Sequence, residues 1–173
     1  KSFISEEPKL QTYLKNSRNF IATTNIRKGL NFSKVLFDLN IRGIHGILLD
    51  LGLSSVVIDQ AEYGFSYKND GPLNMLFGQK NGETAKEFLN SESEINIFNV
   101  LKKFGEEPNS KKISKSIVQR CKSGQMNTTL DLRNAVCAVT PQRFQLKTLS
   151  RVFQAIRIKV NDELVVLKET LEL

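Results

Sequence analysis

A short apolar run that ends in an acid constrains this chain most. Residues 44–49 are aliphatic apart from His45 and Gly46, and the run ends at Asp50. Such a run is typical of a strand covered on both faces, as in the middle of a parallel sheet. Ligands of these sheets bind beyond the carboxyl ends of the strands, so Asp50 is a candidate functional residue. The irregular segment that follows, residues 51–75, has the character of a functional loop.

The residues before this run predict one βαβ unit. Residues 19–24 are typical of a short strand, and apolar side chains recur at helical spacing over residues 32–39. Strand, helix and strand in this order are the repeating unit of an open α/β fold. We therefore predict a partial α/β core over residues 1–75.

From about residue 82 the pattern changes to short helices. We predict helices over residues 83–90, 93–104 and 109–121, and a fourth that begins at Thr128 or Thr129 and ends before Pro141. A polar connector over residues 142–147 leads to one long helix over residues 148–171. The predicted organisation is a core over residues 1–75, a helical subdomain over residues 76–146 and a long helix over residues 147–173.

The charge of the chain indicates a polyanionic partner. The net charge is +7 and the isoelectric point is near 9.5, which favours nucleic acid, with a merely basic soluble surface as the alternative. Much of the positive charge lies in the predicted helical subdomain, where either contacts with a nucleic-acid backbone or a solvated helix face would account for it. We expect no membrane partner, because no apolar run approaches the length of a membrane helix.

The cysteines and the histidine argue against three features. A single histidine and two distant cysteines, Cys121 and Cys137, disfavour a metal centre, a disulfide and a Ser-His-Asp triad. We expect no metal, reduced thiols and a cytoplasmic location.

Three segments carry a family resemblance. The first joins Gly46–Ser55 (GILLDLGLSS), Gly64–Tyr67 (GFSY) and Asp70–Met75 (DGPLNM); the second is Gly105–Glu107 (GEE) ahead of a basic helix; the third is Arg151–Leu164 (RVFQAIRIKVNDEL). Together they resemble the bacterial ribosomal RNA cytosine-N4 methyltransferases of the RsmH/MraW type, from about residue 25 onward. The resemblance implies a Rossmann-like S-adenosylmethionine-dependent methyltransferase core with an all-helical insertion subdomain. It also implies small-subunit ribosomal RNA, or the assembling small subunit, as the partner. It does not fix the oligomeric state, for which a dimer is one alternative.

The resemblance assigns roles to individual residues. Asp50 is expected to bind S-adenosylmethionine and, secondarily, to act in catalysis, while Ile26 and Val57 occupy two further cofactor-binding positions. Because the target base must leave its stack, we expect the loop after Asp50 to form the rim of its pocket. With the polar face of the last helix, this gives the candidate substrate-binding residues: Ser54, Ser55, Asp70, Asn74, Arg151, Arg157, Asn161 and Asp162.

Departures from the family pattern keep a second function open. Asn74 and Leu76 replace an acid and an arginine, Val57 replaces a glutamine, and Ile26 replaces an aromatic residue. The family's glycine-rich cofactor loop would precede Lys1, so we expect this chain to be a fragment that binds cofactor weakly or not at all. The alternative to methyl transfer is a non-catalytic RNA- or ribosome-binding module. A DNA amino-methyltransferase of the same chemistry is a third alternative.

Overall fold

The computed structural model describes residues 60–77 and 82–171, together with Phe37, Asn40, Arg42 and Ile58. Within these residues the chain forms six α-helices: α1 (Ala85–Ser91), α2 (Glu94–Gly105), α3 (Ser110–Lys122), α4 (Thr129–Cys137), α5 (Gln145–Val160) and α6 (Glu163–Leu171). The described residues also form two short 3-10 helices, Ala61–Tyr63 and Gln142–Phe144, and an isolated antiparallel bridge between Pro72 and Thr128. The four predicted short helices are confirmed as α1 to α4, with ends that differ by one or two residues.

Side-chain caps determine where the first helices begin. The Thr84 hydroxyl accepts from the backbone N–H of Glu87, and the Glu87 carboxylate accepts in return from the backbone N–H of Thr84, which is a complete capping box. Thr128 and Asp131 form the same arrangement at the start of α4. Ser93 caps α2 through the backbone N–H of Asn96. These caps satisfy backbone donors that have no partner within the helix.

The prediction of the last helix is wrong in one respect. Instead of one helix over residues 148–171, the chain forms α5 and α6, separated at Asn161 and Asp162. Asp162 has a left-handed φ of 48°, which interrupts the helix. The predicted connector over residues 142–147 is also wrong, because a 3-10 helix begins at Gln142 and α5 begins at Gln145.

The core lies among five of the helices. Helix α2 packs against α3 and α5, and α3 also packs against α1 and α4. The fully buried large side chains include Phe88, Leu89, Ile97, Leu101, Ile113, Ile117, Leu132 and Ile156. The three- and four-residue spacing of apolar residues predicts part of this core, since Leu101, Ile113, Ile117, Leu132 and Ile156 are buried as the spacing indicates. The same spacing is wrong for Ile95, Leu130, Leu164 and Leu171, which are exposed.

Gly105 allows two helices to approach closely. A Cβ at this position would lie 2.7 Å from the backbone oxygen of Arg151 on α5 and 3.1 Å from the Cβ of Ala155. The sequence indicates Gly105 as a helix stop, but the residue in the left-handed conformation at the end of α2 is Glu106, with a φ of 48°. The glycine is therefore required by packing between α2 and α5, and not by the turn.

The chain divides into two compact units. One comprises residues 49–163, and the other comprises residues 1–48 and 164–173. Segment 60–77 therefore belongs to the same unit as helices α1 to α5. The predicted strands and the Rossmann-like sheet lie outside the described residues and remain predictions. Among the described residues, no helix is both long and apolar enough to cross a membrane.

Candidate functional site

The candidate site is built on segment 60–77, which contains the GFSY and DGPLNM motifs. Its chain folds back on itself at two glycines. Gly64 has a φ of 69°, and a Cβ there would lie 2.1 Å from the backbone oxygen of Pro72. A Cβ at Gly71 would lie 2.0 Å from the backbone oxygen of Ala61. Only residues without a side chain fit at these two contacts, so the glycines fix the path of the segment.

The start of helix α4 binds one side of this segment. The Thr129 hydroxyl donates to the backbone oxygen of Asn69 at 2.8 Å and accepts from the backbone N–H of Gly71 at 3.0 Å. The backbone N–H of Thr129 donates to the oxygen of Gly71 at 2.9 Å. Thr129 is 1% exposed, so these hydrogen bonds are shielded from water. Thr129 thus fixes the conformation of the segment around Gly71.

Asp70 lies at the same helix end. Its Oδ1 accepts from the backbone N–H of Leu130 at 3.3 Å, in the first turn of α4. A carboxylate is favoured there because the first backbone N–H groups of a helix carry partial positive charge. Asp70, a predicted substrate-binding residue, therefore also holds the segment against α4.

Helix α1 binds the next part of the segment, around Asn74. The backbone N–H groups of Ala85 and Lys86 donate to the oxygens of Asn74 and Leu73, both at 2.8 Å. The Asn74 side-chain oxygen is buried and accepts no hydrogen bond from the described residues. Leu76, two residues further on, is 5% exposed and packs as an apolar residue, at the position where the family pattern has an arginine.

The end of helix α5 binds the last part of the segment through Asn161. Its Nδ2 donates to the backbone oxygen of Met75 at 2.7 Å and to that of Arg157 at 2.8 Å. Its Oδ1 accepts from the backbone N–H of Phe77 at 2.9 Å. One amide side chain thus joins the end of α5 to two backbone groups of the segment. Met75 has a left-handed φ of 60°, and this hydrogen bonding supports its conformation.

Arg157 and Glu163 form an ion pair beside Asn161. Arg157 Nε and Nη2 donate to the two carboxylate oxygens of Glu163 at 2.8 and 3.1 Å, which is a bidentate arrangement. The Arg157 guanidinium also lies 5.9 Å from the centre of the Phe77 ring. Arg157 therefore braces the same end of the segment as Asn161, whereas Asp162 is exposed at the helix interruption.

Arg151, unlike Arg157, lies away from the end of α5, next to the residues that follow α2. Its Nη1 is 3.7 Å from Oε2 of Glu107, whose side chain is 3% exposed. The other Glu107 oxygen accepts from the backbone N–H of Asn109 at 2.9 Å. Oε2 of Glu107 has no hydrogen-bond partner among the described residues. The positive charge of Arg151 therefore offsets part of the cost of burying this carboxylate.

The structure thus brings together Asp70, Asn74, Arg157 and Asn161 around segment 60–77. Of the other predicted site residues, Arg151 lies beside Glu107 and Asp162 is exposed. Ile26, Asp50, Ser54, Ser55 and Val57 lie outside the described residues. The cofactor assignments therefore have no described side-chain geometry, and they remain predictions together with the substrate-binding roles. Sequence reasoning missed the structural roles of Thr129, Glu107 and Glu163. The GEE and NDEL motifs signalled that the two glutamates matter, but not which residues they contact.

Two titratable groups outside this cluster have altered pKa values. Burial raises the pKa of the Cys121 thiol, whose Sγ contacts the backbone oxygen of Leu89 at 3.2 Å. Backbone and side-chain hydrogen bonds from Thr84 lower the pKa of Glu87 below its usual value. Cys121 and Cys137 are both free thiols. Within the described ranges, histidine, cysteine and acidic side chains form no cluster able to hold a metal ion.

The family relationship follows from the whole chain. A family model described as the MraW methylase family matches residues 7–173, which include the segment and all six helices. The chain therefore belongs to the MraW methylase family, and the predicted resemblance is confirmed. Membership implies an S-adenosylmethionine-dependent methyltransferase with the fold of that class.

Proposed function

We propose that the protein transfers a methyl group from S-adenosylmethionine to the N4 amine of a cytosine in small-subunit ribosomal RNA. The observation that carries this proposal is the family match over residues 7–173, which spans all three motifs of the cytosine-N4 enzymes. The net charge of +7 supports an RNA substrate, because a positive surface attracts a polyanion.

The chemistry requires a group that acts on the cytosine amine. The lone pair of this amine is delocalised into the ring, which makes the nitrogen a weak nucleophile. A hydrogen-bond acceptor that pulls on the amine hydrogens therefore assists attack of the nitrogen on the methyl group. Asp50, at the predicted carboxyl end of a strand, is the residue we assign to this acceptor role and to cofactor binding. Ile26 and Val57 are assigned to the cofactor side of the site, where S-adenosylmethionine supplies the methyl group when bound.

Segment 60–77 is proposed to form the rim of the base pocket. A flipped base needs a preformed surface, because a rim that moves by about 1 Å loses much of the benefit of positioning. Thr129 holds the middle of the segment and Asn161 holds its end, both through backbone groups of the segment. Rigid support by helices is what positions a functional loop with the required accuracy.

The test is methyl transfer from labelled S-adenosylmethionine to small-subunit ribosomal RNA, with the modified nucleoside identified by mass spectrometry. The expected product is N4-methylcytidine, and Asp50→Asn is expected to abolish it. Glu94→Gln, at an exposed position on α2, is the control and should leave transfer unchanged. Transfer to another base or to DNA alone would contradict the proposed substrate.

One observation favours a second candidate, a non-catalytic RNA-binding module. The Asn74 side-chain oxygen is buried and lacks a hydrogen-bond donor among the described residues, and Leu76 is packed where the family has an arginine. With Asn74 in place of an acid and Leu76 in place of an arginine, this segment lacks two charged side chains of the family pattern. For the complete natural protein, this candidate predicts salt-dependent binding of ribosomal RNA together with no binding of S-adenosylmethionine in calorimetry.

A further inference from the structure

The exposed face of helix α3 carries an unusual concentration of positive charge. Between Glu107 and Asp131 the chain has no acidic residue, and α3 within this interval contains five basic ones: Lys111, Lys112, Lys115, Arg120 and Lys122. The four lysines are exposed, and the remaining exposed side chain of the helix is Gln119. We call the surface formed by Lys111, Lys112, Lys115, Gln119 and Lys122 the α3 basic face.

The orientation of this face is fixed by the opposite side of the helix. Ile113 and Ile117 are completely buried in the core, and Ser114 is completely buried beside them. The Ser116 hydroxyl donates to the backbone oxygen of Ala135 on α4 at 2.7 Å. Because these contacts prevent rotation of α3 about its axis, its lysines are held toward solvent.

The lysines of this face are not neutralised by nearby acids. The described part of the chain contains two ion pairs, Arg151–Glu107 and Arg157–Glu163, and neither involves α3. The face extends from Lys111 to Lys122, which is about 16 Å at the rise of an α-helix. It therefore presents a line of uncompensated positive charges on a rigid support.

We propose that the α3 basic face is a docking surface for the sugar–phosphate backbone of the RNA substrate, away from the target nucleotide. This inference rests on the proposed function for the identity of the polyanion. Lysine side chains are suited to phosphate contacts, which position a nucleic acid without reading its sequence. The face therefore contributes affinity and orientation rather than choice of the base.

The chemistry of the face favours RNA over two other anionic partners. An acidic protein partner would require apolar or aromatic anchors at the centre of the interface, and the exposed residues of α3 are lysine and glutamine. An anionic membrane surface would require an exposed apolar side of the helix, whereas the apolar side of α3 is buried in the core.

The test measures how binding of fluorescently labelled small-subunit ribosomal RNA to the full chain depends on salt. The variant replaces Lys111, Lys112 and Lys115 with glutamine, which preserves helix propensity. Loss of three phosphate contacts is expected to reduce the slope of log K against log salt by about 2 to 3. The matched control replaces Lys86, Lys102 and Lys103 with glutamine, which removes the same charge from exposed positions on α1 and α2.

The inference is supported if the slope of log K against log salt falls by about 2 to 3 in the α3 variant and changes by less than about one in the control. Equal losses in both variants would overturn it, because the binding would then follow net charge alone. Binding to phosphatidylserine vesicles, or to poly-glutamate, that is as tight as binding to RNA would also overturn it. Circular dichroism and melting temperature establish that both variants are folded.

Failure of the proposed function gives a different result. If the complete natural protein transfers no methyl group but the salt slope of the α3 variant is still reduced, methyl transfer is refuted and the docking surface is supported. If methyl transfer to N4 is observed and the slope is unchanged in the α3 variant, the docking surface alone is refuted.

Discussion

Asn161 holds Met75 in place across 85 intervening residues of the chain by a hydrogen bond of 2.7 Å from its side-chain Nδ2 to the Met75 backbone oxygen. The same side chain accepts from the backbone N–H of Phe77 at 2.9 Å. An amide is suited to this position because it offers a donor and an acceptor at once. The contact links the end of α5 to the segment that we assign to the base pocket.

We expect Asn161→Ala to destabilise the protein by about 1–3 kcal/mol, because partly buried backbone groups of Met75 and Phe77 lose their partner. Asn161→Asp should also destabilise it, since a carboxylate would face the carbonyl oxygens of Met75 and Arg157. Urea denaturation of the full chain measures both effects. Asn99→Ala, at an exposed position on α2, is the control. Equal stability of the Asn161 and Asn99 variants would refute the linking role.

We expect Thr129→Val to destabilise the protein by about 1–3 kcal/mol, because it removes the hydroxyl that hydrogen-bonds to the Asn69 oxygen and the Gly71 N–H. Valine is close in shape to threonine, so the loss reports the hydroxyl. Thr129→Ser keeps the hydroxyl and should retain most of the stability. Thermal unfolding distinguishes the two. A serine variant as unstable as the valine variant would show that the methyl group, and not the hydroxyl, is important.

The Arg151–Glu107 pair gives an asymmetric prediction. Arg151→Ala leaves the buried Glu107 carboxylate without a nearby positive charge and should cost about 1–3 kcal/mol, less than for a fully buried pair because Arg151 is partly exposed. Glu107→Gln keeps an acceptor for the Asn109 N–H and should cost less.

A double-mutant cycle tests the origin of this cost. Adding Glu107→Gln to Arg151→Ala should recover part of the lost stability, because the uncompensated charge is then removed. Additive losses, as measured by the free energy of unfolding, would show that the two side chains do not interact. RNA binding by the double variant tests separately whether Arg151 contacts the substrate.

Glu87 gives a pH-dependent prediction. Hydrogen bonds from Thr84 lower the pKa of the Glu87 carboxyl in the folded state below its usual value of 4.5. The capping contribution is therefore present above pH 4.5 and is lost as the pH falls through the lower, folded-state pKa. Glu87→Gln keeps the side-chain acceptor and should make acid destabilisation less steep below pH 4.5. Identical acid unfolding curves for the two proteins would contradict this assignment.

The helical part of the fold could be predicted from local sequence, for physical reasons. Apolar spacing and the caps Thr84, Ser93 and Thr128 are local signals, since each cap acts on a backbone group three residues away. The interruption at Asn161 and Asp162 was missed because the apolar spacing continues through it, from Val160 to Leu164. The Asn161 side chain is directed by Met75 and Phe77, which are distant in sequence.

The sequence by itself determined the family, the helices α1 to α4 and the concentration of positive charge in α3. These properties depend on residue identity and on spacing within a few turns of the chain. The tertiary structure alone decided which partners the candidate site residues have. Asp70 contacts the start of α4, Arg151 lies beside Glu107, and Asn161 joins α5 to segment 60–77. Such contacts join residues far apart in the chain, so their specificity arises from how the helices pack and not from a local pattern.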